Sequence, residues 1–384
     1  MDVQNNRNKS LTNMTCDFTE LAVSGVRGLM PYQPGKPLAE LEREYGVRNA
    51  DKLASNENPL GPSPMAVEAM SKALTSTWLY PDGGGFALKQ RLATYLGVPA
   101  GQITLGNGSS DILDFVVRTF VSADSEVVFS QHSFAVYPIL TQMAGARAVV
   151  PAAKDWGNDL QAMRAAITDK TRVVFIANPN NPTGTWLPAR ELEAFIRDVP
   201  ENVIVVVDEA YYEYASAPPM MAVDYPNTIQ WLDRYPNLVV SRTFSKVYGL
   251  AGLRIGYGVS HPQVADLLNR VRPPFNVNSL ALEAAVAALD DTEHLQRSID
   301  INCQGMQQLT QGFKSQGLDY IPSVANFVAV DVGREAAPVY DALLYEGVIV
   351  RPVANYQMPH HLRITIGSEA QNARVLTALQ KVLS

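Results

Sequence analysis

Between about residues 100 and 260, short runs of consecutive apolar, mostly β-branched residues alternate with segments that are apolar on one side only. The runs at 103–105, 126–129, 148–150, 172–177, 203–207 and 238–241 read as strands. Several are apolar at consecutive positions, which suits parallel strands covered on both faces. The segments at 111–121, 159–167 and 188–198 repeat with helical spacing. Strand and helix in this rhythm predict an α/β domain with a mostly parallel sheet. After about residue 260 the rhythm changes. Helical patterns at 263–271, from 279, at 292–316, 335–344 and 368–383 enclose strand signals at 327–331, 348–350 and 362–366. That α+β order predicts a smaller second domain. The expected division is a large domain over 51–275, a small one made of 17–50 with 276–384, and a flexible tail over 1–16. There is no internal repeat and no low-complexity tract.

The 384 residues carry 31 Lys+Arg against 38 Asp+Glu, a net charge of −7, and are 47% hydrophobic. This supplies a large core and excludes intrinsic disorder for most of the chain. The acidic balance argues against a general nucleic-acid binder. No apolar run approaches the roughly 20 residues needed to cross a bilayer, and the polar first 16 residues hold no signal-peptide core. Cys16 and Cys303 form no closely spaced pair, so neither a disulfide scaffold nor a zinc thiolate site is expected. No metal and no membrane partner are expected, and the cytoplasm is the expected setting.

Polar residues cluster just after the predicted strands of the α/β part, where open parallel sheets bind ligands. Gly106-Asn107-Gly108-Ser109-Ser110-Asp111 follows the first strand and opens a helix. Its free N–H groups would suit an anion such as phosphate; the plain alternative is a Ser-capped turn. Asp111 stands where a dinucleotide fingerprint needs its last glycine. Asn178-Pro179-Asn180-Asn181-Pro182-Thr183-Gly184 is a stiff polar loop that admits a cis proline, or simply a connector. Asp208 follows a strand with no polar residue, where a carboxylate is costly unless a cation meets it; a helix N-cap is the simpler reading. Lys246 sits between small hydroxylic residues in Ser241-Arg242-Thr243-Phe244-Ser245-Lys246, a setting for a Schiff-base lysine or for an ordinary loop lysine.

Together these blocks resemble a known family. SNENPLG (55–61), YPDGGG (80–85), GNGSSD, NPNNPTG, DEAYYEY, SRTFSKVYGLAGLRIGY (241–257) and LRITIG (362–367) occur in that order. The chain is similar to pyridoxal-phosphate aminotransferases of class II, fold type I, and specifically to the histidinol-phosphate aminotransferase family, from about residue 30 to the C-terminus. The resemblance implies an aspartate-aminotransferase-like fold: an α/β PLP-transferase domain with a mostly parallel central sheet plus a smaller α+β domain. It implies pyridoxal 5′-phosphate as cofactor, with Lys246 as the covalent amine and proton carrier and Asp208 as partner of the pyridine nitrogen. Asn181 and Tyr211 would meet the ring oxygen. Ser109, Ser110, Thr243, Ser245 and Arg254 would hold the phosphate, and Phe134 would stack on the ring. Tyr80 would reach the phosphate from a neighbouring subunit, making the protein a homodimer with shared sites. Arg363 and Arg351 would bind the substrate anion, with Asn58 and Asn326 as polar supports.

The implied reaction exchanges the amino group of histidinol phosphate with 2-oxoglutarate, giving imidazole acetol phosphate and glutamate, in histidine biosynthesis. The rival within the same chemistry is an aromatic amino-acid aminotransferase acting on phenylalanine or tyrosine. A non-catalytic, cofactor-binding regulator is a remote alternative; it would need a DNA-binding module, and the roughly 50 residues before SNENPLG lack a basic recognition helix.

Overall fold

The computed structural model describes residues 17–31, 35–218 and 224–384. The expected tail over 1–16, with Cys16, lies outside them. Its centre is a seven-stranded sheet of β1 (Ile103–Gly106), β2 (Glu126–Phe129), β3 (Arg147–Val149), β4 (Thr171–Ala177), β5 (Ile204–Asp208), β6 (Leu238–Thr243) and β7 (Gly256–Ser260), in the order β1-β7-β6-β5-β4-β2-β3. Strands β2 to β6 pair in parallel, while β7 runs against both β1 and β6.

Alternation along these strands explains the unbroken apolar runs. Val174, Ile176, Val205, Val207 and Val240 face one hydrophobic cluster. Their neighbours Val173, Phe175, Ile204, Val206 and Val239 face another. Both faces are covered, so the middles of the central strands are apolar and polar residues gather toward their ends. Helices close over the sheet with local start signals. Ser63 caps Pro64–Ala73, with a proline in the first turn, and Asn278 caps Ser279–Asp290.

A second, four-stranded sheet is built from β8 (Tyr320–Ile321), β9 (Phe327–Asp331), β10 (Arg351–Pro352) and β11 (His361–Thr365), in the antiparallel order β10-β11-β9-β8. Val328, Val330, Leu362 and Ile364 pack on Met306, Leu309 and Phe313 of the long helix Thr292–Ser315 and on Val375 and Leu379 of Glu369–Leu383. The second helix starts with a capping box between Ser368 and Gln371. Asp51–Lys52 pairs in parallel with Val348–Ile349, which ties the segment before SNENPLG to this smaller unit.

Two features differ from the expectation. Strand β7 was not foreseen, because its sequence, Gly-Tyr-Gly-Val-Ser, lacks an apolar run. Its glycines are there for proximity. A Cβ on Gly256 would stand 2.4 Å from the Ser109 nitrogen, and one on Gly258 would stand 2.7 Å from Ile112 Cγ2. The helix Ser279–Asp290, assigned from sequence to the small domain, packs on Pro64–Ala73 and Phe86–Leu96. Its buried alanines and leucines belong to a cluster of the large sheet. The change of core falls within Thr292–Ser315, where Ile299 and Cys303 face the large unit and Met306 the small one.

Gly256→Ala should lower the stability measured by urea denaturation by about 1–3 kcal/mol, the usual cost of overpacking, because backbone atoms hem the site and cannot swing aside.

Candidate active site

One cleft opens at the carboxyl ends of β4, β5 and β6 and is roofed by the small sheet. It is lined by Ser109, Ser110, Phe134, Asn181, Asp208, Tyr211, Thr243, Ser245, Lys246, Arg254, Arg351 and Arg363, together with Ser55, Asn56 and Tyr356. Sequence reading therefore named most of the lining.

Asp208 is the last residue of β5 and only 4% exposed. The register sets it beside Ser241 on β6. Ser241 Oγ donates to one carboxylate oxygen at 2.7 Å, and the Tyr137 hydroxyl donates to the other at 3.1 Å. Burial pushes the Asp208 carboxyl up to about 6, against the pull of these two hydroxyls. Neither Ser241 nor Tyr137 was picked out from sequence. Tyr137 lies 71 positions away along the chain, and its role follows from stacking on Phe175, with ring centroids 4.6 Å apart. The next residue, Glu209, forms a fully buried ion pair with Arg242 at 2.7 Å and accepts from Thr228 Oγ1 at 2.6 Å. This pair clamps the ends of β5 and β6.

Lys246 lies on the turn after β6 and donates from Nζ to the Ser55 carbonyl at 3.1 Å. Its amine stands 5.6 Å from the Tyr211 ring centroid. Burial, followed by the nearby Arg363 guanidinium, brings its pKa down to about 7. A large fraction of the amine is then neutral near pH 7 and able to attack a carbonyl carbon.

The opposite end of the cleft is a cup for an anion. Gly108, with φ +78°, leads into helix Ser109–Phe120, whose start has no side-chain cap. The helix therefore leaves its first N–H groups to a ligand. Asp111, the residue that broke the dinucleotide pattern, closes this turn by accepting from the Asn107 N–H at 2.8 Å. Thr243 Oγ1 lies 3.0 Å from Ser245 Oγ, and Arg254 reaches Ser245 Oγ at 3.4 Å. A Cβ on Gly108 would sit 2.6 Å from Arg254 Nη2, so only glycine lets the guanidinium close the cup. Amides, hydroxyls and a guanidinium around one cavity match the donor set a phosphate monoester requires.

Between these ends stand Phe134 and Tyr211. Phe134 lies edge-on to Tyr137, 5.9 Å between centroids. Tyr211 is buried, its phenol pushed up to about 12 mainly by burial, and its oxygen accepts from Asn56 Nδ2 at 2.9 Å and Asn181 Nδ2 at 3.3 Å. Asn181 leaves the loop between two cis peptide bonds, Asn178-Pro179 and Asn181-Pro182. Arg363 donates to Asn181 Oδ1 and, at 2.7 Å, to the Ala54 carbonyl. Arg351 faces Arg363 directly across β10 and β11.

Three residues named from the sequence do not line this cleft. Asn58 is not part of the cleft lining; its amide donates to the Val247 carbonyl at 2.7 Å and to Ser298 Oγ at 2.8 Å, bracing the lysine turn from behind. Asn326 donates to the Asn56 carbonyl at 3.0 Å. Tyr80 is 82% exposed on the outside of the chain, stacked on Phe275 with centroids 4.7 Å apart.

The family model for aminotransferase class I and II matches residues 50–379. Histidinol-phosphate aminotransferase 1 of Nitrosococcus oceani is 61% identical over 366 residues, covering 95% of this chain and 98% of its own length. The crystal structure of histidinol-phosphate aminotransferase from Sinorhizobium meliloti in complex with pyridoxal-5′-phosphate superposes with a TM-score of 0.85 at 32% identity, over 94% of this chain and 97% of that one. Aspartate aminotransferase from Thermus thermophilus, at 20% identity, shares the fold with a TM-score of 0.80 over 94% of this chain and 99% of its own.

The Asp208 environment has a measurable consequence. The folded state holds the proton up to about pH 6, and an unfolded aspartate only to about 4. The unfolded chain thus binds fewer protons between those values, and stability falls as pH rises through that window. In ligand-free protein at pH 8, Asp208→Asn should raise the melting temperature, by at most about 3 kcal/mol in stability, and flatten the pH profile between 4 and 6. A lower melting temperature for the variant would show that the carboxylate is not held against its solvation.

Proposed function

The chain belongs to the class I and II aminotransferases, among the histidinol-phosphate aminotransferases, and from that premise we propose that it exchanges the amino group between histidinol phosphate plus 2-oxoglutarate and imidazole acetol phosphate plus glutamate, in histidine biosynthesis. The observation that carries the substrate is the cross-strand pair Arg351–Arg363. Like charges directly opposite one another destabilise a sheet. Two guanidiniums that line the same cleft as the reactive amine call for an anion between them. A phosphate ester supplies up to two negative charges there, and a carboxylate of glutamate one.

Pyridoxal 5′-phosphate, when bound, supplies an aldehyde that joins amines covalently and a ring that takes up the electron pair left when the substrate carbon loses its proton. The residues present fit it. Ser109, Ser110, Thr243, Ser245 and Arg254 would hold the phosphate, and Phe134 would cover a ring face. Asp208, held by two neutral hydroxyls, has the charge to keep a protonated ring nitrogen, and such a cation would offset the cost of its burial. Lys246 is the amine at the right depth, and its lowered pKa lets it give up and regain a proton near neutral pH. Tyr211 and Asn181 would donate to the ring oxygen. Arg363 would orient either substrate by its anion, and Arg351 would add the second charge that a phosphate rewards.

In this reading the chain divides into a large cofactor-holding unit and a small unit carrying the arginines. The working form is a cytoplasmic homodimer. Exposed Trp78, Leu79, Tyr80, Phe86 and Phe275 support the dimer, because a soluble monomer rarely displays so many large apolar side chains in one region. Tyr80 would then complete a neighbour's phosphate cup.

Purified protein should show a specificity constant for histidinol phosphate far above that for phenylalanine, each with 2-oxoglutarate. A preference for phenylalanine would move the assignment to an aromatic aminotransferase. Lys246→Ala should abolish almost all turnover together with the pH-sensitive visible band of the cofactor-loaded protein; normal turnover would remove the lysine from the chemistry. Arg363→Ala should raise KM about tenfold or more for both histidinol phosphate and glutamate. Arg351→Ala should raise it mainly for histidinol phosphate, and equal effects on the two substrates would remove Arg351 from the role of second-charge partner.

A further inference from the structure

We infer that Asn56 and Thr365 are positioning residues that fix the direction of the Tyr211 hydroxyl, so that its hydrogen is donated into the cleft. The inference rests on the pyridoxal-phosphate reading above, since the ring oxygen is the acceptor it serves.

The direction follows from groups that can only donate. A backbone N–H is one and a guanidinium is another. The Asn56 N–H donates to Thr365 Oγ1 at 2.9 Å. Thr365 therefore directs its own hydrogen elsewhere, and Asn56 Oδ1 stands 3.1 Å away to accept it. That orients the Asn56 amide: its oxygen faces Thr365 and its Nδ2 faces the Tyr211 hydroxyl, at 2.9 Å. The second amide is oriented from the other side. Arg363 donates to Asn181 Oδ1, which leaves Asn181 Nδ2 to donate to the same hydroxyl at 3.3 Å. The phenol oxygen thus accepts twice. Its single hydrogen must leave in the remaining direction, and Tyr211 lines the cleft. Its ring cannot tilt to escape, being 3% exposed and packed edge-on against Phe327 with centroids 5.2 Å apart.

The backbone is shaped for this contact. Asn56 has φ +56°, in the left-handed region where asparagine and aspartate are among the few tolerated side chains. Its carbonyl is held by Asn326 Nδ2 at 3.0 Å. Thr365 lies two positions beyond Arg363 on β11, so the two side chains leave the same face of that strand. The strand that offers a guanidinium to the substrate anion therefore also sets the polarity of the phenol that would meet the cofactor.

The test uses the visible absorption band of the pyridoxal-phosphate-loaded enzyme, whose pH midpoint reports hydrogen bonding to the ring oxygen. Asn56→Asp keeps the size and the left-handed preference but replaces the donor by an acceptor, which takes the Tyr211 hydrogen for itself. The expected result is a midpoint raised by about one pH unit, the size of one hydrogen bond, matching that of Tyr211→Phe. The double variant should move it no further. Thr365→Val, which frees the Asn56 amide without changing its volume much, should shift the midpoint in the same direction by less, and it carries the test if Asn56→Asp does not fold. An unmoved midpoint in Asn56→Asp or, failing that, in Thr365→Val would overturn the inference, as would additivity with Tyr211→Phe. Absence of any visible band in wild-type protein given pyridoxal phosphate would instead overturn the reading on which it rests.

Discussion

The site is organised around a carboxylate in the wrong medium. Asp208 ends a strand whose other members are all apolar and buried, between two parallel neighbours, and its carboxylate oxygens accept from the neutral hydroxyls of Ser241 and Tyr137. A charge held that way is expensive, and a cationic ligand atom is the direct remedy. Much of the surrounding structure serves to hold the position. Ser241 sits opposite through parallel register, Tyr137 arrives from the helix Val136–Met143, and the Glu209–Arg242 pair locks the two strand ends behind it. The buried ion pair is itself of little net benefit to stability, but it fixes where β5 stops and where the lysine turn begins.

A second principle is that the cleft is made by two sheets, neither of which holds it alone. The large sheet brings the carboxylate, the amine and the phosphate cup. The small sheet brings the paired arginines. The start of the SNENPLG segment and the residue before it stitch them together: Ala54 accepts from Arg363, Ser55 from Lys246, Asn56 contacts both Tyr211 and Thr365, and Asn58 holds the lysine turn. Residues 54–58 thus touch the reactive amine, the phenol and a substrate arginine.

How much of this was legible in the sequence depends on the distance over which each contact is made. The parallel strands announced themselves through unbroken apolar runs, and the loops at their ends through glycine, asparagine and hydroxyl clusters, because both signals are local. The paired arginines could be named but not placed opposite one another, since register lies in the fold. Strand β7 stayed hidden because its glycines answer to the start of helix Ser109–Phe120, about 150 positions earlier, rather than to their own neighbours. Asn58 was selected over Asn56 because both sit in the same motif, and only the left-handed turn at 56 decides which amide enters the cleft. Tyr137 carries no sequence signal of its own; it is buried in the core, and its hydroxyl matters only because the fold brings it to Asp208.

The depressed basicity of Lys246 has a cost outside the reaction cycle. An amine that is largely uncharged in a neutral solution adds to carbonyl compounds of any origin, and open-chain sugars or reactive metabolites are electrophiles of this kind. Burial restricts which of them arrive but does not lower the nucleophilicity of what they meet. Prompt loading after synthesis would therefore guard the newly made enzyme against glycation and related damage at the one side chain it can least spare.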